Sequence, residues 1–348
     1  MLWDNLFFLN FFLSLIIFIL NYKYRFEISQ KLKIIDIPDN KRKLHKGSVP
    51  LNGALWFSII IFFFIIQSLF FENLINDQFR LILITSLIIF LIGLIDDIKS
   101  INPNLRLIIY FITFYFVISL DETFQLKIVY FESLSFELKT SIFATFFTAF
   151  CLTAFINSIN LSDGINALAN SILTIMCLLI FIKFNEKNLF ILTIVLFLIL
   201  NSFIIYNQKY FLGDSGALSI STFIGLIIIN VYNSNYLSMN NNQFNAEDIF
   251  VLMAFPGLDM IRVFFERSIK GKNPFRPSRE HLHHYLLKKH SLITTLIIYL
   301  FFAFIPSISN FFFQDLFYTT YNLYASVILY IILLKYSRNK NFVKRKKI

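Results

Sequence analysis

The sequence predicts an all-α fold: a polytopic membrane bundle of about eleven transmembrane helices, with its N-terminus outside and its C-terminus in the cytoplasm. Three observations predict it. Of 348 residues, 57% are hydrophobic, 18% aromatic and only 15% charged, against about 45–50% apolar and about 25% charged in an ordinary soluble domain. The apolar residues fall in blocks long enough to cross a bilayer, such as 51–71 and 189–206. The basic residues are unevenly placed. With eleven spans and an outer N-terminus, Arg80, Lys127, Lys139, Lys183 and Lys187 are the only Lys or Arg in outer loops, and the other 26 of 31 lie on the inner side or at its helix ends. That asymmetry sets orientation. A soluble or disordered chain is excluded. So is a β-barrel, whose strands alternate apolar and polar residues. Within a bilayer, helices satisfy the backbone that remains.

The elements follow in order. The first apolar block, 6–20, lacks a basic region before it and a small-residue cleavage site after it, and is followed by Lys23 and Arg25. It reads as a retained first helix rather than a signal peptide. The spans are expected at 3–21, 51–71, 81–95, 105–120, 140–160, 167–183, 189–206, 217–232, 247–265, 293–310 and 318–335. The third and sixth are short for a straight crossing, so they should run longer or pack inside the bundle. The outer stretch 127–138 alternates with period two and predicts a small hairpin. The outer stretch 234–245 is an Asn-rich surface loop. Cys151 and Cys177 sit inside apolar blocks and read as small hydrophobes. The whole of 1–348 reads as one transmembrane domain, and 336–348 as a basic cytoplasmic tail with Lys344, Arg345, Lys346 and Lys347 facing anionic headgroups. There is no internal repeat of the kind that builds many transporters.

Chemistry concentrates in five inner segments. Asp96-Asp97, with Lys99 close behind, ends the third span; two adjacent carboxylates at a membrane boundary need a cation or sit as a solvated cap. Asn157 and Asn160, at the end of the fifth span, are three apart, as are Asp163 and Asn166, so at helical spacing each of these two pairs would share a face, and Gly164 permits a break. The same residues also suit a plain polar turn. Gly213-Asp214-Ser215-Gly216 opens the eighth span: its glycines let a ligand approach, Asp214 can bind a hard cation, and Ser215 can cap the helix. Taken alone it is a tight capped turn. Arg276, Arg279, His281, His283 and His284 crowd the longest inner loop and suit an anion better than zinc, since no cysteine or H-E-x-x-H helix accompanies them. The first inner loop, Asp36 to His45 with Lys43, is basic as topology requires, and Arg106 at the start of the fourth span can simply snorkel. In the ninth span Asp259 and Arg262 are three apart and can pair. Together the five segments put carboxylates, amides and cations on one membrane face, the inventory of metal-assisted phosphoryl transfer.

In order and kind these motifs resemble the polyprenyl-phosphate N-acetylhexosamine-1-phosphate transferases. The resemblance rests on the stretch from Asp36 to His45 with Pro50 and Gly53, on Asp96-Asp97, on Asn157 to Asn166, on Gly213-Asp214-Ser215-Gly216 and on His281-Leu282-His283-His284. The H-x-H-H form is more similar to the WecA-type branch than to the muramoyl-pentapeptide branch. The resemblance implies transfer of sugar-1-phosphate from UDP-N-acetylglucosamine or a related UDP-N-acetylhexosamine to undecaprenyl phosphate, releasing UMP and starting a cell-envelope polysaccharide. It implies Mg²⁺ or Mn²⁺, a bacterial inner membrane with the active site on the cytoplasmic face, no nucleic-acid partner, and a homodimer as one admissible assembly. It assigns Asp96 and Asp97 to catalysis and Asp214 and Asn160 to the metal. It assigns Asn166, Asp163, Arg106, Lys99, Arg279, His281, His283, His284, Lys43 and His45 to substrate. The chain departs from the usual pattern at Ser158 for Ala, Asn166-Ala167 for Asp-Gly, and Gly53-Ala54 for Gly-Gly. The competing readings are a transporter, which should hold ionisable residues near mid-span, and another lipid-active enzyme such as a phosphatase or CDP-alcohol transferase, which should show a different carboxylate spacing.

Overall fold

A helix stands at each of the eleven apolar segments. The computed structural model describes residues 2–38, 47–71, 75–183, 189–238, 245–275, 278–313 and 316–339. Lys43, His45, Arg276, positions 239–244 of the Asn-rich loop and the run Lys344 to Lys347 lie outside the described residues. The eleven are α1 (Leu2–Lys23), α3 (Leu55–Phe70), α4 (Asp77–Lys99), α5 (Pro103–Leu120), α6 (Ala144–Ser162), α7 (Leu168–Lys183), α8 (Leu189–Tyr206), α9 (Gly213–Ser238), α10 (Ala246–Ile269), α12 (Leu292–Phe312) and α13 (Leu316–Arg338). Two short helices, α2 (Arg25–Leu32) and α11 (Leu282–Leu287), have no counterpart in the apolar pattern. Five stretches are long and apolar enough to cross a membrane by length and composition: Asp77–Lys99, Pro103–Leu120, Ser141–Ser162, Gly213–Ser234 and Leu292–Asn310. The chain is therefore a helical multi-pass membrane protein.

The third span does run longer than the apolar core alone, to Asp77–Lys99, because polar residues continue the helix at both ends. Asn76 caps its N-terminus by accepting the Phe79 N–H at 2.7 Å. The short sixth span keeps its length as α7 and buries Leu168, Ala169, Ile172, Leu173, Met176 and Cys177 almost completely. Among the described residues two antiparallel strand pairs interrupt the helices. Strands β3 (Ile128–Phe131) and β4 (Phe136–Lys139) form the expected one, in register Ile128 with Lys139 and Phe131 with Phe136. The other, β1 (Ile35–Asp36) with β2 (Val49–Pro50), was not expected from the sequence pattern, because two-residue strands carry no periodicity.

The chain divides into two compact units. The first comprises Met1–Asn102 and Ala169–Ile227. Its core is aromatic: Phe18, Trp56 and Phe197 lie within 5.2–5.7 Å of one another between ring centroids. Polar groups inside it pair with each other. The Asn201 amide donates to Asn170 Oδ1 at 2.8 Å and the Tyr210 hydroxyl to Asn201 Oδ1 at 2.6 Å, as apolar surroundings demand. The second unit comprises Pro103–Leu168 and Ile228–Ile348. Within it α5 lies along α6, and α10, α12 and α13 pack together through Phe255, whose ring is 5.8 Å from Tyr299 and 5.6 Å from Tyr330. Its hairpin is pinned by the Tyr130 N–H donating to the Tyr232 hydroxyl at 2.8 Å and by the Ser133 N–H donating to Glu247 Oε1 at 2.8 Å.

Candidate functional site

In the first unit, three of the sequence motifs meet at the C-terminal end of α4 and the N-terminal end of α9. The first turn of a helix leaves N–H groups without intrahelical partners. Here a side chain from another helix takes them. Asp97 Oδ1 accepts from the Asp214 N–H at 2.8 Å and Oδ2 from the Ser215 N–H at 3.1 Å. Ser215 is therefore not the cap that its sequence position suggested; it lies inside the first turn and is capped by α4. Glycines make the approach possible. A Cβ on Gly93 would stand 2.6 Å from Ser215 Cα, and one on Gly213, whose φ is +76°, would stand 2.8 Å from Asp97 Oδ2. The end of the first inner loop joins them: the Phe211 N–H donates to Pro50 O at 2.8 Å and the Gly53 N–H to Phe211 O at 3.0 Å.

Asp96 and Asp97 point to different tasks. Asp96 is 4% exposed, and its Oδ1 accepts from the Ile101 N–H at 2.6 Å, holding the turn that follows α4. Asp97 instead sits beside Asp214, whose charge repels it. Among the described residues no cationic side chain pairs with Asp97. Lys99 is exposed at the end of α4. Two neighbouring carboxylates are hard oxygen donors that suit a divalent cation, with phosphates and water completing its shell. Among the described residues no three His, Cys, Asp or Glu side chains gather into a ligand set, so protein carboxylates alone would not enclose such an ion.

In the second unit, two motifs some 120 positions apart come into contact. Helix α6 ends at Ser162 with Asp163 as its C-cap. Asn157 and Asn160 thus share a helical face, but Asp163 and Asn166 do not: the helix has ended and the chain turns through Gly164 to Ala167, whose φ is +66°. Asn157 reaches α10, donating to Met260 Sδ at 3.4 Å. Asn160, Asp163 and Asn166 are partly buried. Gly164 is the contact point. A Cβ there would stand 2.3 Å from His283 Nε2 and 2.9 Å from His284 Nε2. The break that glycine permits in α6 is also the clearance that lets two histidines close on the turn.

The histidines are clustered. His281 and His283 lie parallel with centroids 5.6 Å apart, and His283 and His284 are 4.3 Å apart. Burial pushes the His283 pKa well below the usual imidazole value, and its neighbours His284 and His281 push it further. Burial, helped by His281 and Arg279, lowers His284 to about 4. Both rings are neutral at neutral pH. His283 is 1% exposed, and its Nε2 has no hydrogen-bond partner among the described residues, an orphaned nitrogen facing the α6–α7 turn. Arg106 lies partly buried on the first turn of α5, and Arg279 is exposed just before α11.

A carboxylate noted in the sequence only as a partner for Arg262 turns out to organise this loop. Asp259 Oδ1 accepts from Arg262 at 2.7 Å, and Oδ2 lies 2.8 Å from His281 Nδ1. The Leu282 N–H donates to both oxygens, at 3.1 and 3.3 Å. The Arg262 contact was legible from i,i+3 spacing; the His281 contact, 22 positions away, had no sequence signal.

Residues 79–232 match the family model described as glycosyl transferase family 4. The chain is 28% identical over 286 residues to the undecaprenyl-phosphate alpha-N-acetylglucosaminyl 1-phosphate transferase of Yersinia pestis, covering 75% of this chain and 72% of that protein. It is 26% identical over 278 residues to the protein of that name from Escherichia coli K12, covering 75% and 71%. It is 28% identical over 282 residues to the one from Pasteurella multocida, covering 75% and 73%.

Proposed function

We propose that this chain, whose residues 79–232 match the glycosyl transferase family 4 model, transfers N-acetylhexosamine-1-phosphate from a UDP-sugar to undecaprenyl phosphate and releases UMP. The names of its relatives support the reaction. The single observation that carries it within this chain is the α4–α9 junction, where Asp97 seats the Gly213-Asp214-Ser215 turn and brings two carboxylates together at a helix end.

In this reading an oxygen of the lipid phosphate attacks the sugar-bearing phosphorus of the donor. The bond from that phosphorus to the bridging oxygen breaks, and UMP departs with the electron pair. The lipid phosphate is largely ionised near neutral pH, so no strong base is needed. Asp214 would be a ligand of Mg²⁺ or Mn²⁺, and the resemblance assigns Asn160 to the metal as well. When bound, the ion offsets diphosphate charge and stabilises the leaving group. Asp97 fixes the backbone on which Asp214 stands. Asp96 shapes the turn behind it. His283, His284, Arg279 and Arg106 bind phosphates. Asn166 and Asp163 contact the nucleoside side of the donor, and Lys99, Lys43, His45 and His281 complete the anion-binding set. UDP-N-acetylglucosamine is the first donor to test, and the product would initiate an envelope polysaccharide. The helices cross the inner membrane of a bacterium eleven times, with the reacting groups on the cytoplasmic side, and the protein acts as a monomer or homodimer.

The test is UMP release by purified protein in detergent, with undecaprenyl phosphate, Mg²⁺ and a panel of UDP-N-acetyl sugars, with and without EDTA. Metal-dependent release with one donor is the expected result. No release with any donor, from protein shown to be folded, would sink the reading.

A further inference from the structure

The carboxylate at Asp259 has no role in the reaction as described above, yet Arg262, His281, Leu282 and Tyr330 all converge on it. We infer that Asp259 is a positioning residue: through His281 Nδ1 it fixes the ring so that Nε2 is the nitrogen offered to a phosphate of the transfer reaction. The inference rests on the proposed function and adds a residue to it.

Asp259 is 5% exposed. Each partner assigned to it is a donor. Arg262 reaches Oδ1 at 2.7 Å. The Tyr330 hydroxyl reaches Oδ1 at 2.9 Å and itself accepts from Arg262 Nε at 2.8 Å, so the tyrosine proton is directed at the carboxylate. The Leu282 N–H reaches both oxygens. An ionised carboxylate only accepts hydrogen bonds. The remaining contact, 2.8 Å from Oδ2 to His281 Nδ1, therefore has Nδ1–H as its donor. With Nδ1 committed, Nε2 is left for a ligand in either protonation state of the ring.

The surrounding contacts hold this geometry rigidly. Arg262 also donates to Glu280 O at 2.6 Å, one residue before His281, and to Glu266 Oε2 at 3.0 Å. Glu266 is held in turn by Arg338 at 2.7 and 2.8 Å. The backbone on both sides of His281 is thus tied to α10, and the end of α13 braces the assembly. His281 stacks on His283, so a ring rotation at 281 would disturb the orphaned His283 nitrogen as well.

The test is a double-mutant cycle with Asp259→Asn and His281→Ala, read as kcat and KM for UMP release, together with nitrogen-15 NMR of histidine-labelled protein. In Asp259→Asn the amide oxygen must face Arg262 and Tyr330. Its NH2 then meets Nδ1 and forces the other tautomer or rotates the ring. Expected is a fall in kcat of about 10- to 100-fold, the usual effect of removing a carboxylate that orients a histidine, with a smaller change in KM. In the His281→Ala background the same substitution should change kcat by less than about twofold, since coupled sites are non-additive. Wild-type His281, assigned by the signal lost in His281→Ala, should show a protonated Nδ1 that disappears in Asp259→Asn. Effects that multiply in the double mutant would overturn the inference and leave Asp259 a structural tie. A wild-type His281 protonated only at Nε2 would overturn it too, even if Asp259→Asn does not fold. If the wild type releases no UMP with any donor, the proposed function falls, and the NMR signals decide this point by themselves.

Discussion

Two helix ends in this protein use the same device with opposite electrostatics. At the α4–α9 junction Asp97 accepts the first N–H groups of α9; at the α10–α11 junction Asp259 accepts the first N–H group of α11. Both are acidic side chains from one helix capping another, and both bring distant motifs into contact. Asp97 lies beside a second carboxylate, Asp214, and among the described residues meets no cation. Asp259 is matched by Arg262, Tyr330 and His281. The first sets two carboxylates side by side, an arrangement that suits an added cation. The second is complete as it stands and works by holding its neighbours. Neighbouring carboxylates repel one another, and a bound cation relieves that repulsion.

The largest effect should come from the carboxylate pair. Asp214→Asn keeps the capped turn, because the capping uses the Asp214 backbone, and removes one carboxylate. Turnover should fall by about 100-fold or more, with the melting temperature nearly unchanged. Asp97→Ala should abolish turnover as well, and in addition lose the α9 cap, worth about 1 kcal/mol. Comparing UMP release and thermal unfolding of the two variants separates charge from capping. Full activity in Asp214→Asn would break the comparison, since the carboxylate pair would then have no chemical use.

The next effect belongs to the meeting of α6 and α11. In Gly164→Ala the new Cβ would stand 2.3 Å from the Nε2 of His283, a ring too buried to swing aside. Overpacking of this kind costs about 1–3 kcal/mol, and the histidines should be displaced from the turn. KM for donor or lipid phosphate should rise by about tenfold while kcat changes less. His283→Ala should weaken the same binding without the overpacking. Unchanged kinetics in both would remove the histidine loop from phosphate binding.

A smaller effect is readable in pH. The folded pKa values of His283 and His284 lie below the ordinary value near 6.5, with His284 at about 4. The unfolded chain therefore binds more protons than the folded one between those limits. Stability should be flat above pH 6.5 and fall as pH drops from about 6.5 toward 4. Carboxylates contribute to any acid transition, so the diagnostic is the difference between wild type and His284→Gln. The variant should lose less stability across that window. Equal slopes for the two proteins would mean that His284 is solvated in solution.

Much of the fold was legible because the apolar blocks were long. A run such as 51–71 admits few structures in a bilayer, and the alternation at 127–138 sufficed for the hairpin. What stayed hidden was short or tertiary. Helix α11 has six residues and β1 has two, lengths at which periodicity is silent. Ser215 looked like a cap because serine often is one; the capping carboxylate came from another helix. Gly164 was legible as a break, but its clearance for His283 depends on packing. Asp259 showed its helical partner Arg262 and concealed His281, since only one of those contacts follows from spacing.

The smallest predicted effect tests the turn that the histidines close upon. Ala167, where the resembling family commonly has glycine, adopts φ +66° and is 2% exposed. Left-handed backbone costs a non-glycine residue about 1–2 kcal/mol. Ala167→Gly relieves that, but it frees the unfolded chain by about 0.4–1 kcal/mol and removes a buried methyl worth about 0.8 kcal/mol. These contributions nearly cancel, so the melting temperature should move by only a few degrees in either direction. A large gain would mean that the alanine strain is uncompensated and that the turn pulls the histidines out of their best geometry; KM should then improve with it. A large loss would mean that the methyl packs more tightly than its burial suggests, and that the second unit, like the Asp259 network within it, is held by packing completed in the protein rather than by a ligand.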